Sequence, residues 1–505
     1  MTGLRKLGSV SALAFLMTPA ATLADVTAQQ VWIDWQEYIT NYGYTLTGTE
    51  STSGDTLTVS DTIMRMELPE GEGTVEMQVG DIHLRNLGDG RVSVDFAETM
   101  PMTANMTPKT GAAVQLGLSY LLDDFEMIVS GDAAQMAYTY SADAVTVRLN
   151  QVTADRETVK INKAEATMAD LEGLSTMTTG NIRNMTQRLS AQSMAYDVDM
   201  VLPEAEGGAF KVSGGLNTLT FAGEGSYPNA FDTTDLSKML AAGFAFTGDF
   251  AYADGQSAAK ITETGEKTID MTSQSATGRL SVAMDADGLR YAGGSTGGKT
   301  TALSSDFPLP IEVAFNAFDF ALAMPSTPGD EARDAALRVG LSDLTMSEML
   351  WGLFDPTGKL PRDPATLLVD VSSKVKLFAD IFNPEAMKGF TGPVGEPESL
   401  TINALRLDVA GAELTGSGDF TFDKTDTSSF PGTPAPEGSV DLKLTGANAL
   451  IDNLIEIGLL PADKAMGARM MMGLFAVPGD GEDTLKSKIE VNDQGHVLAN
   501  GQRLK

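Results

Sequence analysis

The chain has 505 residues, of which 42% are hydrophobic and 20% charged, a composition that builds a core and excludes a disordered or collagen-like chain. Its 35 Lys and Arg against 68 Asp and Glu give a formal net charge of -33, which repels phosphate backbones and argues against nucleic acid as a partner. The absence of Cys removes disulfides and thiol chemistry, and two His leave little for imidazole catalysis or metal ligation.

Arg5 and Lys6, a mostly apolar run from Val10 to Leu23, and Ala24 before Asp25 read as a secretory signal peptide over residues 1–24. The run is interrupted by Thr18 and Pro19 and falls short of the roughly 20 residues that span a bilayer, so cleavage is expected rather than anchoring. The expected location is periplasmic, with secretion beyond the periplasm left open and no transmembrane segment after cleavage.

The next element is a helix. Thr27 and Gln30 form a capping box, Val31, Trp32, Trp35, Tyr38, Ile39 and Tyr42 recur at helical spacing, and Gly43 ends the run. That stripe should pack on the sheet that follows. From Thr56 the period changes to two: Val75, Met77 and Val79 share a face, then Ile82 and Leu84, with a phase slip at Gly80-Asp81 that reads as a bulge. Val92, Val94 and Phe96 alternate likewise. The connections at residues 69–73 and 88–90 suit antiparallel hairpins. A short helix from about Asp235 to Ala242, ended by Gly243, precedes alternating Phe244, Phe246, Phe250 and Tyr252. Thr345 and Glu348 read as a capping box for a helix through Trp351 and Phe354, closed by the turn Asp355-Pro356-Thr357-Gly358. Two helices, about Asn448 to Ile457 and Pro461 to Phe475, precede a hairpin of Ile489 and Val491, a turn at Asp493-Gln494-Gly495, and Val497.

These elements predict a mainly β (α+β) fold: an elongated, twisted antiparallel sheet or sheet pair built from meanders, with several short packing helices. A helix followed by alternating strands occurs twice, which divides the mature chain into an N-terminal half over residues 25–230 and a second half over 231–505 that carries the last helices and hairpin.

Asp25-Val26-Thr27 leading into Val31-Trp32, Trp351 to Gly358 followed by Leu360-Pro361-Arg362-Asp363-Pro364, Gly467 to Met471, Pro478 to Thr484 and the ending Val497 to Leu504 together resemble an exported alphaproteobacterial family, domain of unknown function twenty-one twenty-five. The resemblance runs over the whole mature chain. It implies an envelope protein rich in antiparallel sheet and brings no catalytic residue or cofactor with it. The Asn500-Gly501 ending is also similar to those of AsmA-like β-groove envelope proteins.

Several motifs match known sites and fail on context. Gly293 to Thr300 satisfies the phosphate-loop pattern G-x-x-x-x-G-K-[ST], but Asp306, Pro308 and Pro310 follow where a helix is required, so a Gly-rich hairpin loop is expected. The same stretch holds G-x-S-x-G around Ser295, for which His496 would be the base, again without the helix of a nucleophile elbow. Ser373 and Lys376 give S-x-x-K within a strand pattern, and Lys109-Thr110-Gly111 gives K-T-G in the reverse of the penicillin-binding order. His83, between Ile82 and Leu84, should point to solvent with Asp81. Asp480, Glu482 and Asp483 could bind calcium weakly, whereas Asp285-Ala286-Asp287-Gly288 lacks the closing Glu of a calcium loop. No catalytic, cofactor or metal residue is assigned.

The 26 Met, including Met64, Met66 and the run Met470-Met471-Met472, are the remaining signal, because Met fits irregular apolar shapes and greasy ligands as well as cores. The leading expectation is an exported, non-enzymatic envelope protein that binds or shields lipid or another apolar ligand in a β-groove, held by acyl chains rather than by an anionic headgroup. The alternatives are a periplasmic protein-interaction scaffold with a closed core, and a hydrolase whose residues the sequence does not single out.

Overall fold

The structure, a computed structural model, describes residues 25–504 apart from 42, 69–72, 107–111, 155–156, 203–207, 230–235, 264–266, 384–386, 389, 427–429 and 431–433. The signal-peptide segment 1–24, Tyr42, most of the 69–73 connection, Lys109-Thr110-Gly111 and Asp235 lie outside the described residues.

Period-two patterning over most of the chain yields one antiparallel sheet, in which the strands from β10 to β21 pair in chain order. It opens with β1 (Tyr44–Ser53), β2 (Thr56–Glu67) and β3 (Gly73–Asn86), whose far edge is shared by β4 (Val92–Asp95) and β5 (Thr99–Met106). Next, β6 (Val114–Asp123) and β7 (Glu126–Gly131) share one edge of β8 (Gln135–Ala154). After the short β9 (Glu157–Thr158), long strands follow one another: β10 (Lys160–Thr178), β11 (Ile182–Val201), β12 (Ala209–Pro228), β13 (Ala245–Thr262), β14 (Thr268–Met284), β15 (Leu289–Ser304) and β16 (Phe307–Met324). The sheet continues through β17 (Arg333–Met346), β18 (Ala365–Leu377), β19 (Gly395–Val409), β20 (Ala412–Asp423) and β21 (Ala435–Thr445), and ends with β22 (Val477–Pro478) and β24 (Val497–Ala499) on one edge of β23 (Thr484–Val491), then β25 (Gln502–Arg503). The ladder is unbroken from β12 to β13, so one sheet crosses residue 231. The mainly β, antiparallel expectation holds.

Five helices accompany the strands among the described residues: α1 (Ala28–Asn41), α2 (Leu236–Ala241), α3 (Glu348–Phe354), α4 (Ala447–Glu456) and α5 (Ala462–Phe475). The capping box of α1 forms as expected, with Thr27 Oγ1 accepting from Gln30 N–H at 3.3 Å and Gln30 Oε1 accepting from Thr27 N–H at 2.9 Å. The start of α3 differs from the sequence reading. Ser347 is its N-cap, accepting from Leu350 N–H, while Thr345 lies in β17 and donates to the Ala314 carbonyl. The strand claims Thr345 because β17 continues its pairing with β16 to Met346, leaving Ser347 as the first residue free to cap.

The core begins where α1 meets the sheet. Val31 and Trp32 are fully buried against Leu57, Val59, Ile82, Leu84, Val92, Val94 and Val129, and each such side chain contributes roughly 1.5–3 kcal/mol on transfer from water. Trp32 Nε1 donates to Glu50 on β1, and Asp34 accepts from Arg183 on β11. The sheet therefore curls around α1, since strands at both ends of the series β1 to β11 touch one short helix.

A crease crosses the strands. Asp61 in β2, Asp170 in β10, Thr218 in β12, Asp254 in β13 and Asp343 in β17 all have φ near +50°, and Gly80 and Gly297 share that left-handed region. Asp pays less than most residues there because its short side chain bonds locally. Pairing is interrupted beside these residues, and the alternation slips by one: Ala142 and Val145, Met168 and Leu171, Ala191 and Met194, Leu216 and Leu219 are three apart yet pack in one cluster. The slip read at Gly80-Asp81 is the first of this row, with shifted register between β2 and β3.

Candidate apolar groove

Because directly paired residues share a face, the face that holds Tyr138 against α1 can be followed strand by strand. On it lie Phe246, Phe250 and Tyr252 of β13, Leu280 and Val282 of β14, Tyr291 of β15, Phe318, Phe320 and Leu322 of β16, Leu337, Val339 and Leu341 of β17, Leu367, Val369 and Val371 of β18, and Leu405 and Leu407 of β19. Leu414, Leu442, Leu485 and Ile489 continue it to β23. From β13 to β23 its one charged residue among those described and traced by pairing is Arg333, at the first position of β17, which donates to the Ala286 carbonyl.

Ions sit on the opposite face. There Arg338 bridges Asp319 at 2.7 Å and Asp370 at 2.8 Å, Lys163 bridges Glu165 and Asp197, and Lys299 pairs with Glu312. Arg338 is held above its ordinary value by its bonds to Asp319 and Asp370. That face also carries two depressions, one of about 640 Å³ lined mostly by Ser, Thr, Asn, Gln and Asp residues and one of about 840 Å³ where Arg188, Asp249 and Arg279 stand among Leu174, Ala222 and Ala251.

Aromatic rings cover glycines across the apolar face. Tyr140 lies opposite Gly173, Tyr196 opposite Gly214, Tyr252 opposite Gly278, Phe320 opposite Gly293 and Phe315 opposite Gly298, and a Cβ on any of these glycines would collide with the facing side chain. This corrects the reading of Gly293 to Thr300 as a hairpin loop. The segment is the interior of β15, and its glycines make room for Phe320 and Phe315.

The groove is closed at its ends and open between them. α1 covers the face at β1 to β8, and Met472 and Phe475 of α5 stand over Leu414, Leu442 and Leu485 around a cavity of about 370 Å³. A second cavity of about 470 Å³ lies among Met185, Phe221, Tyr227, Phe246, Phe250 and Leu280. From β13 to β19, Ile261, Ile269, Met271, Tyr291, Leu322, Leu337, Leu367 and Leu407, all on this face, remain 36–44% exposed. Seven strands at about 4.8 Å spacing make this open stretch roughly 30 Å wide across the strands.

The motif residues do not assemble a reaction centre. Ser295 is mid-strand in β15, while His496 lies between β23 and β24, with β16 to β21 between them in the ladder. Ser373 is in β18, as the strand pattern implied, and donates to the Ser399 carbonyl. His83 is exposed and shares a hydrogen bond with Thr58. Of the three acids considered for calcium, Asp480 pairs with Lys486 and Asp483 turns to α4. Asp285 folds an Asx turn, accepting from Asp287 and Gly288 N–H and from Arg290. Among the described residues no three His, Asp or Glu side chains converge on a point where a metal ion could sit. No described helix is long and apolar enough to cross a membrane.

Two features carry the site and escaped the sequence reading: the row of left-handed Asp residues and the Asp34–Arg183 pair. The spacing of three between apolar residues was the available signal for the first. Only folding brings the second together.

Fold and site define a class: a single open antiparallel sheet, amphipathic over its whole width, whose apolar face is capped by a helix near each end. The family described as uncharacterized protein conserved in bacteria (DUF2125) matches residues 240–501, slightly more than half of the chain, and the chain belongs to that family. The Trp351, Gly467 and Pro478 stretches that carried the resemblance fall inside the matched span, and Asp25 to Trp32 falls before it. No curated protein matches the chain.

Proposed function

We propose that this is an exported, non-enzymatic cell-envelope protein that holds the acyl chains of a lipid along the apolar face between α1 and α5. The observation that carries the reading is the unbroken, almost uncharged row of half-exposed side chains from β13 to β19. Soluble proteins seldom leave so large a continuous apolar surface uncovered, and an acyl chain needs no hydrogen-bonding partner from it. The -33 charge and the ion pairs of the opposite face favour a ligand held by its chains with its headgroup outside. Export rests on Arg5, Lys6 and the apolar run to Leu23, and a periplasmic site of action follows from it.

Titration of the purified protein with a fluorescent long-chain fatty acid tests the reading. Saturable binding that Leu322→Glu weakens at least tenfold supports it, since a buried charge would have to be desolvated beside the chain. Absence of binding by the wild-type chain removes it and leaves the interaction scaffold.

A further inference from the structure

We propose that the groove takes a diacyl lipid and binds its ester or amide carbonyls at a hydroxyl cluster in the middle of the apolar face; the inference rests on the reading of that face as a lipid groove. Where the crease crosses β13 to β15 the face changes character. The Tyr252 hydroxyl and Ser275 Oγ lie 3.0 Å apart, and Ser273 Oγ and Thr300 Oγ1 lie 3.2 Å apart, all four side chains half-buried. Their side chains share the apolar face. A Cβ on Gly255 would meet Tyr252, Ser275 Oγ and Leu216 together, and one on Gly278 would meet Tyr252, so both glycines keep open the space these groups occupy. Apolar surface continues on both sides of the cluster. Toward one end of the strands lie Phe250, Leu280 and Tyr291, and toward the other Ile261, Ile269 and Met271.

The chemistry of the cluster selects the occupant. A Ser, Thr or Tyr hydroxyl holds one donor and also accepts, so each bonded pair spends one proton and leaves the other free to donate into the groove. An acyl ester taken from water into apolar surroundings loses partners at its carbonyls, and two free donors offset that loss. The cluster is neutral, and among the described residues traced by pairing on this face from β13 to β16 none is charged. An ionised carboxylate or phosphate would find no cation there. Neutral carbonyls with an apolar arm on either side describe a diacyl lipid, one chain along each half of the strands. A free fatty acid can lie in either half by its chain alone and leaves the cluster unused. With the carbonyls seated in the middle of the face, the headgroup projects from the open side of the groove into water.

Displacement of the fluorescent fatty acid from the full-length protein by dioctanoyl phosphatidylcholine, and by its dioctyl ether analogue, is the test. The ether keeps the chains and headgroup and lacks both carbonyls. The ester is expected to displace at about tenfold lower concentration, since two neutral hydrogen bonds are at stake. Tyr252→Phe/Ser275→Ala/Ser273→Ala/Thr300→Val is expected to cut that preference at least fivefold, and because the readout is a ratio within one protein, the amount of folded protein does not enter it. Equal displacement by ester and ether, displacement by neither, or a preference undiminished in the quadruple variant would overturn the inference and leave the groove reading standing. A fatty acid that never binds would remove both.

Discussion

Asp34 of α1 accepts a hydrogen bond from Nη1 of Arg183 on β11 at 2.6 Å, with both side chains only 5% exposed and 149 residues apart in the sequence. The Tyr138 hydroxyl points at the same carboxylate at 3.4 Å; burial and then the Asp34 charge push its pKa upward. The Arg183 guanidinium also lies over the Tyr38 ring at 5.6 Å, while its Nε is buried without a partner. This pair fixes the helix that closes one end of the groove. Its Coulomb gain must first repay the desolvation of both ions, so it specifies the docking of α1 more than it stabilises the chain.

Removing one partner should therefore be costly. Asp34→Ala leaves Arg183 charged and buried, and a loss of about 3–5 kcal/mol is expected. Asp34→Leu/Arg183→Met should recover most of it. Denaturant unfolding of the wild type and the two variants provides the check, and an Asp34→Ala variant as stable as the wild type would show the pair to be idle.

Glycine-to-alanine changes beneath the aromatic rings form a second prediction. Gly278→Ala places a methyl against Tyr252, and Gly298→Ala against Phe315. Each should destabilise by about 1–3 kcal/mol, the ordinary cost of overpacking. Gly467→Ala, on α5 with open space around it, should be neutral or slightly stabilising. Thermal unfolding midpoints compare the three directly.

A third prediction concerns pH. Gly446 precedes α4 and has no side chain to cap it, so Asp483, from the loop before β23, accepts from Asn448 and Ala449 N–H at 3.1 and 2.9 Å. Burial raises the Asp483 pKa, but the Ala449 and Asn448 hydrogen bonds outweigh it and leave the carboxyl below its ordinary 3.8. A carboxyl lowered on folding stabilises fully above its unfolded pKa and loses that contribution as pH falls through the folded value. The difference in stability between wild type and Asp483→Ala, about 1 kcal/mol at neutral pH, should thus shrink below pH 3.8. A difference unchanged down to pH 2 would sink the assignment.

Much of the fold was legible because its signals are local. The Thr27–Gln30 box and the final turn at Gly495 each depend on a few neighbouring residues, and each forms as read; Val92 and Val94 are buried in one strand, which ends at Asp95 before Phe96. The Gly293 to Thr300 stretch misled because a glycine's usual cost in a strand is offset here by the rings of Phe320 and Phe315, which lie on β16, outside any local window. The face shared by Tyr291, Leu322 and Leu337 was not visible either. Each strand showed its own alternation, but only the register joins them into one surface.

The central claim is that this surface carries a lipid. Purified full-length protein, expressed with export to a periplasm and extracted with organic solvent, should yield lipid in stoichiometric amount by mass spectrometry, and Leu322→Glu/Leu337→Glu should yield at least tenfold less at unchanged fold. Wild-type protein that carries no more lipid than an exported control of similar size and charge would contradict the account.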